Sequence, residues 1–271
     1  MQEDNPASGH QTRAVLKEQY RDSSNFRKRT ALHARFGTNR YSFYRWMFDQ
    51  FDLSAVSAIL ELGCGPGLLW QQNADRLPAG ASIVVSDFSW GMIREARANI
   101  APRTGSRLRF CQLDAAVLPL KDASFDAAVA MLMLYHLDDR PAALREIRRV
   151  LRDTGALYAS TMGHAHLREL REIVIAVTGR GGVSSSSDRF GLETGYDQLK
   201  AVFQSVEVRR YESAMRITEV QPVMDYFMST SRLRALPAAR IDALRTELER
   251  AISAPGGIAV TTDLGVLIAR P

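Results

Sequence analysis

From residue 57 to about residue 160 the chain alternates short, nearly all-apolar runs with longer stretches whose apolar residues recur every three or four positions. The runs SAILEL, SIVVSD, RLRFCQL, FDAAVAMLML and GALYAST read as strands. Between them the spacing predicts helices from Gly67 to about Leu77, from Trp90 to about Ile100 and from Arg140 to Leu151. Strands of this kind, alternating with amphipathic helices, build a parallel sheet covered on both faces. Two helices are predicted before this core. In the second, Tyr44, Met47, Phe48 and Phe51 fall on one face, which predicts packing on the core. After it come a helix from His164 to about Val177, the Gly/Ser loop GRGGVSSSSDRFG and a short helix around Tyr196–Phe203. A strand SVEVRRYESAM, a helix pair at about 218–230 and 237–252, and a last strand IAVTTDLGVLIAR follow. With no internal repeat and no linker, the pattern predicts one domain over residues 1–271. Within it, 1–54 form an N-terminal helical lid, 55–162 a ligand-binding core, and 163–271 the substrate-side helices and last strands.

Composition changes this picture in one place. Apolar content of 46% and charged content of 24% suit a globular protein with a large core. The longest apolar run, Ala127 to Tyr135, is far below the roughly 20 residues needed to span a membrane. The polar, acidic stretch MQEDNPASGH does not read as a signal peptide. Cys64 and Cys111 have no metal-ligand spacing and read as reduced thiols, so a cytoplasmic protein with no membrane partner is expected. The informative feature is the charge of +5, most of which sits in residues 1–50, where nine Lys/Arg face five Asp/Glu among many aromatic residues. Basic residues interleaved with rings suit nucleic acid, and equally a lid over an acidic or aromatic small molecule.

The candidate chemistry begins at ILELGCGPGL, residues 59–68, where Gly63, Gly65 and Gly67 follow an apolar strand. Glycine at this density weakens regular structure, so the backbone there must be bare for a reason. A strand entering a glycine turn and then a helix makes a site for a polar or anionic ligand. The dinucleotide fingerprint G-x-G-x-x-G fits imperfectly, because Leu68 occupies the place of its third glycine.

The segment Ile59–Gly67 resembles motif I of the class I S-adenosylmethionine-dependent methyltransferases, a bacterial small-molecule, type 11-like branch. IVVSDFSWGMIREAR and CQLDAAVLPLKDASFDAAVAMLMLYHL resemble the later motifs at the expected intervals, and LHARFGTNRYSFYRWMFDQF with GHAHLREL resembles the parts that flank the active site. The resemblance implies an α/β, Rossmann-like, doubly wound and mostly parallel seven-stranded sheet, with an N-terminal helical lid and inserted lid helices near the C-terminus. It implies S-adenosylmethionine as cofactor and S-adenosylhomocysteine as product. Carried onto this sequence, Gly63, Cys64 and Gly65 would cradle the methionine part, with Cys64 an inert filler, and Glu61 would receive its ammonium. Asp87 would accept from the ribose hydroxyls, with Ser89 beside it as a competing helix cap. Phe88 and Met92 would flank the adenine, Asp114 would accept from its amine, and the Ala115 N–H would bind the adjacent ring nitrogen. Met131 would face the sulfonium and Tyr20 would close over the cofactor. Each has a plainer reading: a cap for Asp87, a turn for Asp114, and core packing for Phe88, Met92, Met131 and Tyr20.

A sulfonium methyl is a strong electrophile, so the protein's task is to hold a nucleophile in line with the S–CH3 bond. A base is needed only where the acceptor must lose a proton. His136 is the first candidate and His166 the second, with His33 in the lid a weaker third; each could instead cap or pack the fold. Asp138 and Asp139 precede Pro141 as a helix cap would, so no metal is expected. The expected activity is methyl transfer to O, N or an electron-rich C of a small molecule, in natural-product biosynthesis, with an optional general base. Met131–Tyr135 lacks the Asn/Asp-Pro-Pro-aromatic stretch of amino-type nucleic-acid methyltransferases, which argues against an RNA or DNA partner. The inserted-helix residues Tyr226, Phe227 and Met228, with Leu132, are expected to help wall the substrate pocket. A cofactor-binding relative without methyl transfer, such as a cyclase or a regulatory protein, is the other alternative. A homo-oligomer stays open.

Overall fold

The computed structural model describes residues 20–179 and 186–271. Its strands are β1 (Ala58–Leu62), β2 (Ser82–Asp87), β3 (Leu108–Gln112), β4 (Phe125–Met131), β5 (Leu151–Met162), β6 (Ser205–Tyr211), β7 (Ala214–Ile217), β8 (Ile258–Thr261) and β9 (Leu264–Arg270). The helices are α1 (Ser24–Phe36), α2 (Phe43–Asp49), α3 (Leu68–Gln72), α4 (Trp90–Thr104), α5 (Arg140–Val150), α6 (Arg168–Thr178), α7 (Ser186–Phe190), α8 (Thr194–Lys200), α9 (Val220–Met228), α10 (Ser231–Arg234) and α11 (Ala238–Ile252).

Seven strands form one sheet in the order β3-β2-β1-β4-β5-β9-β6. Pairing is parallel from β3 to β5 and antiparallel where β9 joins β5 and β6. The central strands are buried on both faces, which is why β4 reads FDAAVAM without alternation. One face is covered by α2, α3 and α4 through Met47, Phe48, Trp70, Ile93 and Ile100. The other carries α5, α7 and α8 through Leu144, Ile147, Phe190 and Leu199. A third cluster forms a separate cap, where Leu32 and Phe36 of α1 meet Leu170, Met224, Phe227, Leu244 and Leu248 around the β7–β8 ribbon. The strand order reverses between β1 and β4, and open α/β sheets bind ligands at the carboxyl ends of strands at that point.

Several elements differ from the pattern-based expectation. The helix expected from Gly67 to Leu77 ends at Gln72, because the Asn73 side-chain amide donates to the Leu69 carbonyl (2.8 Å) and to the Tyr44 carbonyl (3.1 Å), and a 3-10 turn over Ala74–Arg76 follows. The strand FDAAVAMLML stops at Met131, since Leu132 adopts φ +51° and donates its N–H to the Ser160 carbonyl. SVEVRRYESAM and IAVTTDLGVLIAR each break into two strands, and their outer pieces pair as the β7–β8 ribbon instead of extending the main sheet. The first break is held by Asn39, whose amide donates to the Glu212 carbonyl at 2.8 Å, and by the Tyr211 hydroxyl on the Tyr41 carbonyl. The helix expected from His164 begins at Arg168. Of the loop GRGGVSSSSDRFG, residues 180–185 lie outside the described residues, and Ser186–Phe190 are helical. No helix among the described residues is long and apolar enough to cross a membrane.

Candidate active site

β1 leads into a turn in which Gly63, Gly65 and Gly67 all have positive φ, at 69°, 53° and 81°. The three serve different ends. A Cβ on Gly63 would lie 2.8 Å from Met133 Cγ, and one on Gly67 would lie 2.4 Å from Ile100 Cδ1, so both positions exist for close packing. A Cβ on Gly65 would meet nothing within 4 Å. That glycine borders open space, which is what a cradle for a ligand requires.

The turn is tied to the tip of β2. The Gly65 N–H donates to Asp87 Oδ2 at 2.9 Å, and the Ser89 N–H to Asp87 Oδ1 at 2.8 Å. Each carboxylate oxygen thus has one backbone donor and a second lone pair for a ligand hydroxyl. Burial raises the Asp87 pKa, while these N–H groups pull it back. Ser89 caps α4, accepting from the Met92 N–H at 3.4 Å and donating to the Tyr20 carbonyl at 2.8 Å. Asp114 accepts from the Ala116 N–H at 3.0 Å, and its backbone closes a turn with Val117. Glu61, 1% exposed at the end of β1, accepts from the Trp70 indole at 2.6 Å. Burial raises it to about 8, the indole hydrogen bond lowers it and the Asp87 charge raises it further. Cys64 is buried and its thiol is held well above the usual range by burial, which makes it a poor nucleophile.

One cavity of about 1140 Å³ joins these groups to the cap. It is lined by every residue assigned from the sequence to the cofactor — Tyr20, Glu61, Gly63, Cys64, Gly65, Asp87, Phe88, Ser89, Met92, Asp114, Ala115 and Met131 — and by His136, His166 and His33. Met92, 1% exposed, belongs largely to the core. Of the three inserted-helix residues expected to wall the pocket, Tyr226 does so, whereas Phe227 and Met228 face the third cluster. Arg29 and Thr30 of α1 and Tyr135 also border the cavity. The roles of Arg29 and Thr30 were not legible, because the basic, aromatic N-terminus fitted two classes of partner.

The three candidate histidines are all held neutral in the fold. The His136 Nε2 lies 2.7 Å from the Tyr20 hydroxyl. Burial, with the charges of Arg29 and Arg189, lowers His136 to about 3, so its ring is neutral and weakly basic. His166 Nδ1 accepts from the Asp263 backbone N–H at 3.2 Å. A backbone N–H can only donate, so the neutral ring carries its proton on Nε2 and presents a donor, not the lone pair a base needs. His33 stacks on His166 with centroids 5.4 Å apart, and burial lowers it to about 4. Asp139 caps α5 by accepting from the Ala142 N–H at 2.9 Å, and Asp138 pairs with Arg189 at 3.4 Å. Among the described residues no cluster of three His, Cys, Asp or Glu side chains could hold a metal ion.

Residues 59–155 match the family described as a methyltransferase domain. A malonyl-[acyl-carrier protein] O-methyltransferase of Geobacter sulfurreducens is 36% identical over 154 residues, covering 55% of this chain and 57% of that protein. The chain spans about half the length of the curated relatives it matches. Among solved structures, the [4+2]-cyclase SpnF superposes with a TM-score of 0.59 at 19% identity, covering 96% of this chain and 97% of that one. Phosphoethanolamine N-methyltransferase 2 of Haemonchus contortus, solved with phosphomonomethylethanolamine and S-adenosylhomocysteine, gives 0.57 at 17%, covering 95% of this chain and 60% of that one. The open cradle at Gly65, the Asp87 carboxylate beside it and the match over residues 59–155 agree: this part of the chain carries a methyltransferase domain, set on the Rossmann-like sheet that the solved structures share.

Proposed function

We propose that this protein transfers a methyl group from S-adenosylmethionine to an oxygen, nitrogen or electron-rich carbon of a small molecule, in natural-product biosynthesis. The observation that carries the reading is the extent of the cavity. At about 1140 Å³ it exceeds the roughly 300–1,000 Å³ of a single-ligand pocket, and it runs from the strand tips to the aromatic underside of α1. The cofactor supplies an electrophilic methyl group. Asp87, Glu61 and Asp114 would hold its polar ends, and the bare Gly65 backbone leaves room for its amino-acid part. Tyr20, anchored by Ser89 and His136, would cover it and exclude water. Tyr44, Tyr135, Tyr226 and His166 wall the remaining space, whose scale suits a small molecule better than a nucleic-acid strand.

With His136 held neutral and His166 presenting a donor, catalysis rests mainly on holding an already nucleophilic acceptor in line. Incubation of a metabolite panel with methyl-labelled cofactor, read by mass spectrometry, tests the reading. A labelled product is expected. Tight S-adenosylhomocysteine binding with no labelled product from any acceptor would favour a cofactor-binding relative that transfers nothing.

A further inference from the structure

The helix α1 divides its faces. Leu32 and Phe36 enter the third core cluster, while Phe26, Arg29, Thr30 and His33 line the cavity. Arg29 is the unusual member of this set. Its guanidinium carbon lies 5.3 Å from the centroid of the Tyr20 ring, and its charge acts on His136, Tyr135 and Tyr226, so it stands on the chamber beside these rings. Of the other arginines at or near the chamber, Arg27 pairs with Glu95 at 3.1 Å, Arg189 pairs with Asp138 at 3.4 Å, and Arg40 is exposed to solvent. Among the described residues Arg29 has no carboxylate within ion-pair distance. The carboxylates that border the cavity are occupied elsewhere, Glu61 with Trp70, Asp87 with the glycine turn, Asp114 in its own turn and Asp139 as a cap.

A half-buried guanidinium without a counter-charge is costly, and a ligand that brings the charge relieves that cost. Its planar fork fits two coplanar oxygens, and one guanidinium balances one negative charge, which favours a carboxylate over a phosphate dianion. The surrounding rings of Tyr20, Tyr135 and Tyr226 suit a flat apolar body, and His166 adds an N–H donor. Resting on the methyl-transfer reading above, we propose that the acceptor is a small aromatic or unsaturated carboxylate whose anionic group is held by Arg29.

The test uses the full chain saturated with S-adenosylhomocysteine and two probes of the same shape, benzoate and uncharged benzamide, titrated by ligand-observed NMR. The wild type is expected to bind benzoate at least about tenfold more tightly than benzamide. Arg29→Gln should erase that difference while leaving S-adenosylhomocysteine affinity unchanged. Should Arg29→Gln fail to bind S-adenosylhomocysteine, Arg29→Lys carries the test: loss of the fork should weaken benzoate by about threefold or more and leave benzamide alone. Equal affinities for the two probes, binding of neither, discrimination that survives in Arg29→Gln, or unchanged benzoate binding in Arg29→Lys would each overturn the proposal. Failure of the wild type to bind S-adenosylhomocysteine would instead overturn the reading of the preceding subsection.

Discussion

Glu61 offers the sharpest measurable consequence of this site. It is buried at the end of β1 with its pKa raised to about 8, so at pH 7 about nine-tenths of the ligand-free protein carries a proton on this side chain. A cofactor ammonium placed beside it favours the carboxylate, and that proton must leave. The ligand's own amine, beside its carboxylate as in any free amino acid, is already protonated at pH 7 and takes up almost no proton. The net release is then about 0.9 proton per ligand bound. Calorimetric titration with S-adenosylhomocysteine at pH 7, in buffers of different ionisation enthalpy, should show observed enthalpy falling with buffer enthalpy at a slope of about −0.9. The sign also fixes the pH profile. Below pH 7 affinity should rise by close to tenfold per pH unit, level off near pH 8, and fall again as the ligand amine loses its proton. In Glu61→Gln the slope should collapse to near zero. A zero slope in the wild type, or an unchanged slope in the variant, would refute the contact between this carboxyl and the ammonium.

Three further outcomes are expected. Asp87→Ala removes the group that two backbone N–H donors aim at the cofactor site, so S-adenosylhomocysteine affinity should fall by about 2–3 kcal/mol, roughly 30- to 150-fold; unchanged calorimetric binding would remove Asp87 from the site. His136, lowered to about 3, should leave no inflection in the turnover–pH profile between pH 5 and 8, and His136→Ala should keep the profile's shape while loosening Tyr20; a wild-type inflection near pH 6.5 that vanishes in the variant would restore it as a base. Acid should weaken the fold through His33, which is about 4 when folded and about 6.5 when unfolded: its contribution is whole above pH 6.5 and is lost as pH falls toward 4, by at most about 3 kcal/mol, less because cavity water reaches the ring. Glu61, raised in the fold, acts in the opposite sense below pH 8, so the measurement is a difference: His33→Gln should lose less melting temperature than the wild type between pH 7.5 and pH 5, and equal losses would contradict the burial argument.

The parts legible in the sequence were those whose cause is local. Gly63, Gly65 and Gly67 announce the ligand turn because positive φ and the absence of a Cβ are properties of the residue itself. The parallel strands were legible because burial on both faces leaves nothing polar in them. The end of β4 was not: Met131, Leu132 and Met133 are all apolar, and the reversal at Leu132 depends on Ser160, 28 residues away on the neighbouring strand. The splitting of the two late strands likewise depends on Asn39 and Tyr41 reaching across from the N-terminal segment.

The same distinction explains why the cofactor half was readable residue by residue while the chemistry at the far end was not. His136 alone carries an ordinary histidine pKa, and what lowers it comes from elsewhere in the chain: burial in the site, and the charges of Arg29 and Arg189. His166 is fixed as a donor by a backbone N–H at Asp263, 97 positions on. In the sequence Arg29 is one of nine basic residues that suit nucleic acid and a small-molecule lid equally, and only its place on α1 sets it on the cavity without a carboxylate partner among the described residues. These three observations point one way. Among the described residues, a chamber with an arginine that has no carboxylate partner, histidines held neutral and no strong base is poorly arranged to deprotonate an alcohol, and well arranged to position an acceptor that is already anionic or already nucleophilic. In such a chamber the lid supplies the electrostatics and the sheet supplies the cofactor, so substitutions in α1 should change which acceptor is taken without changing how tightly S-adenosylhomocysteine binds.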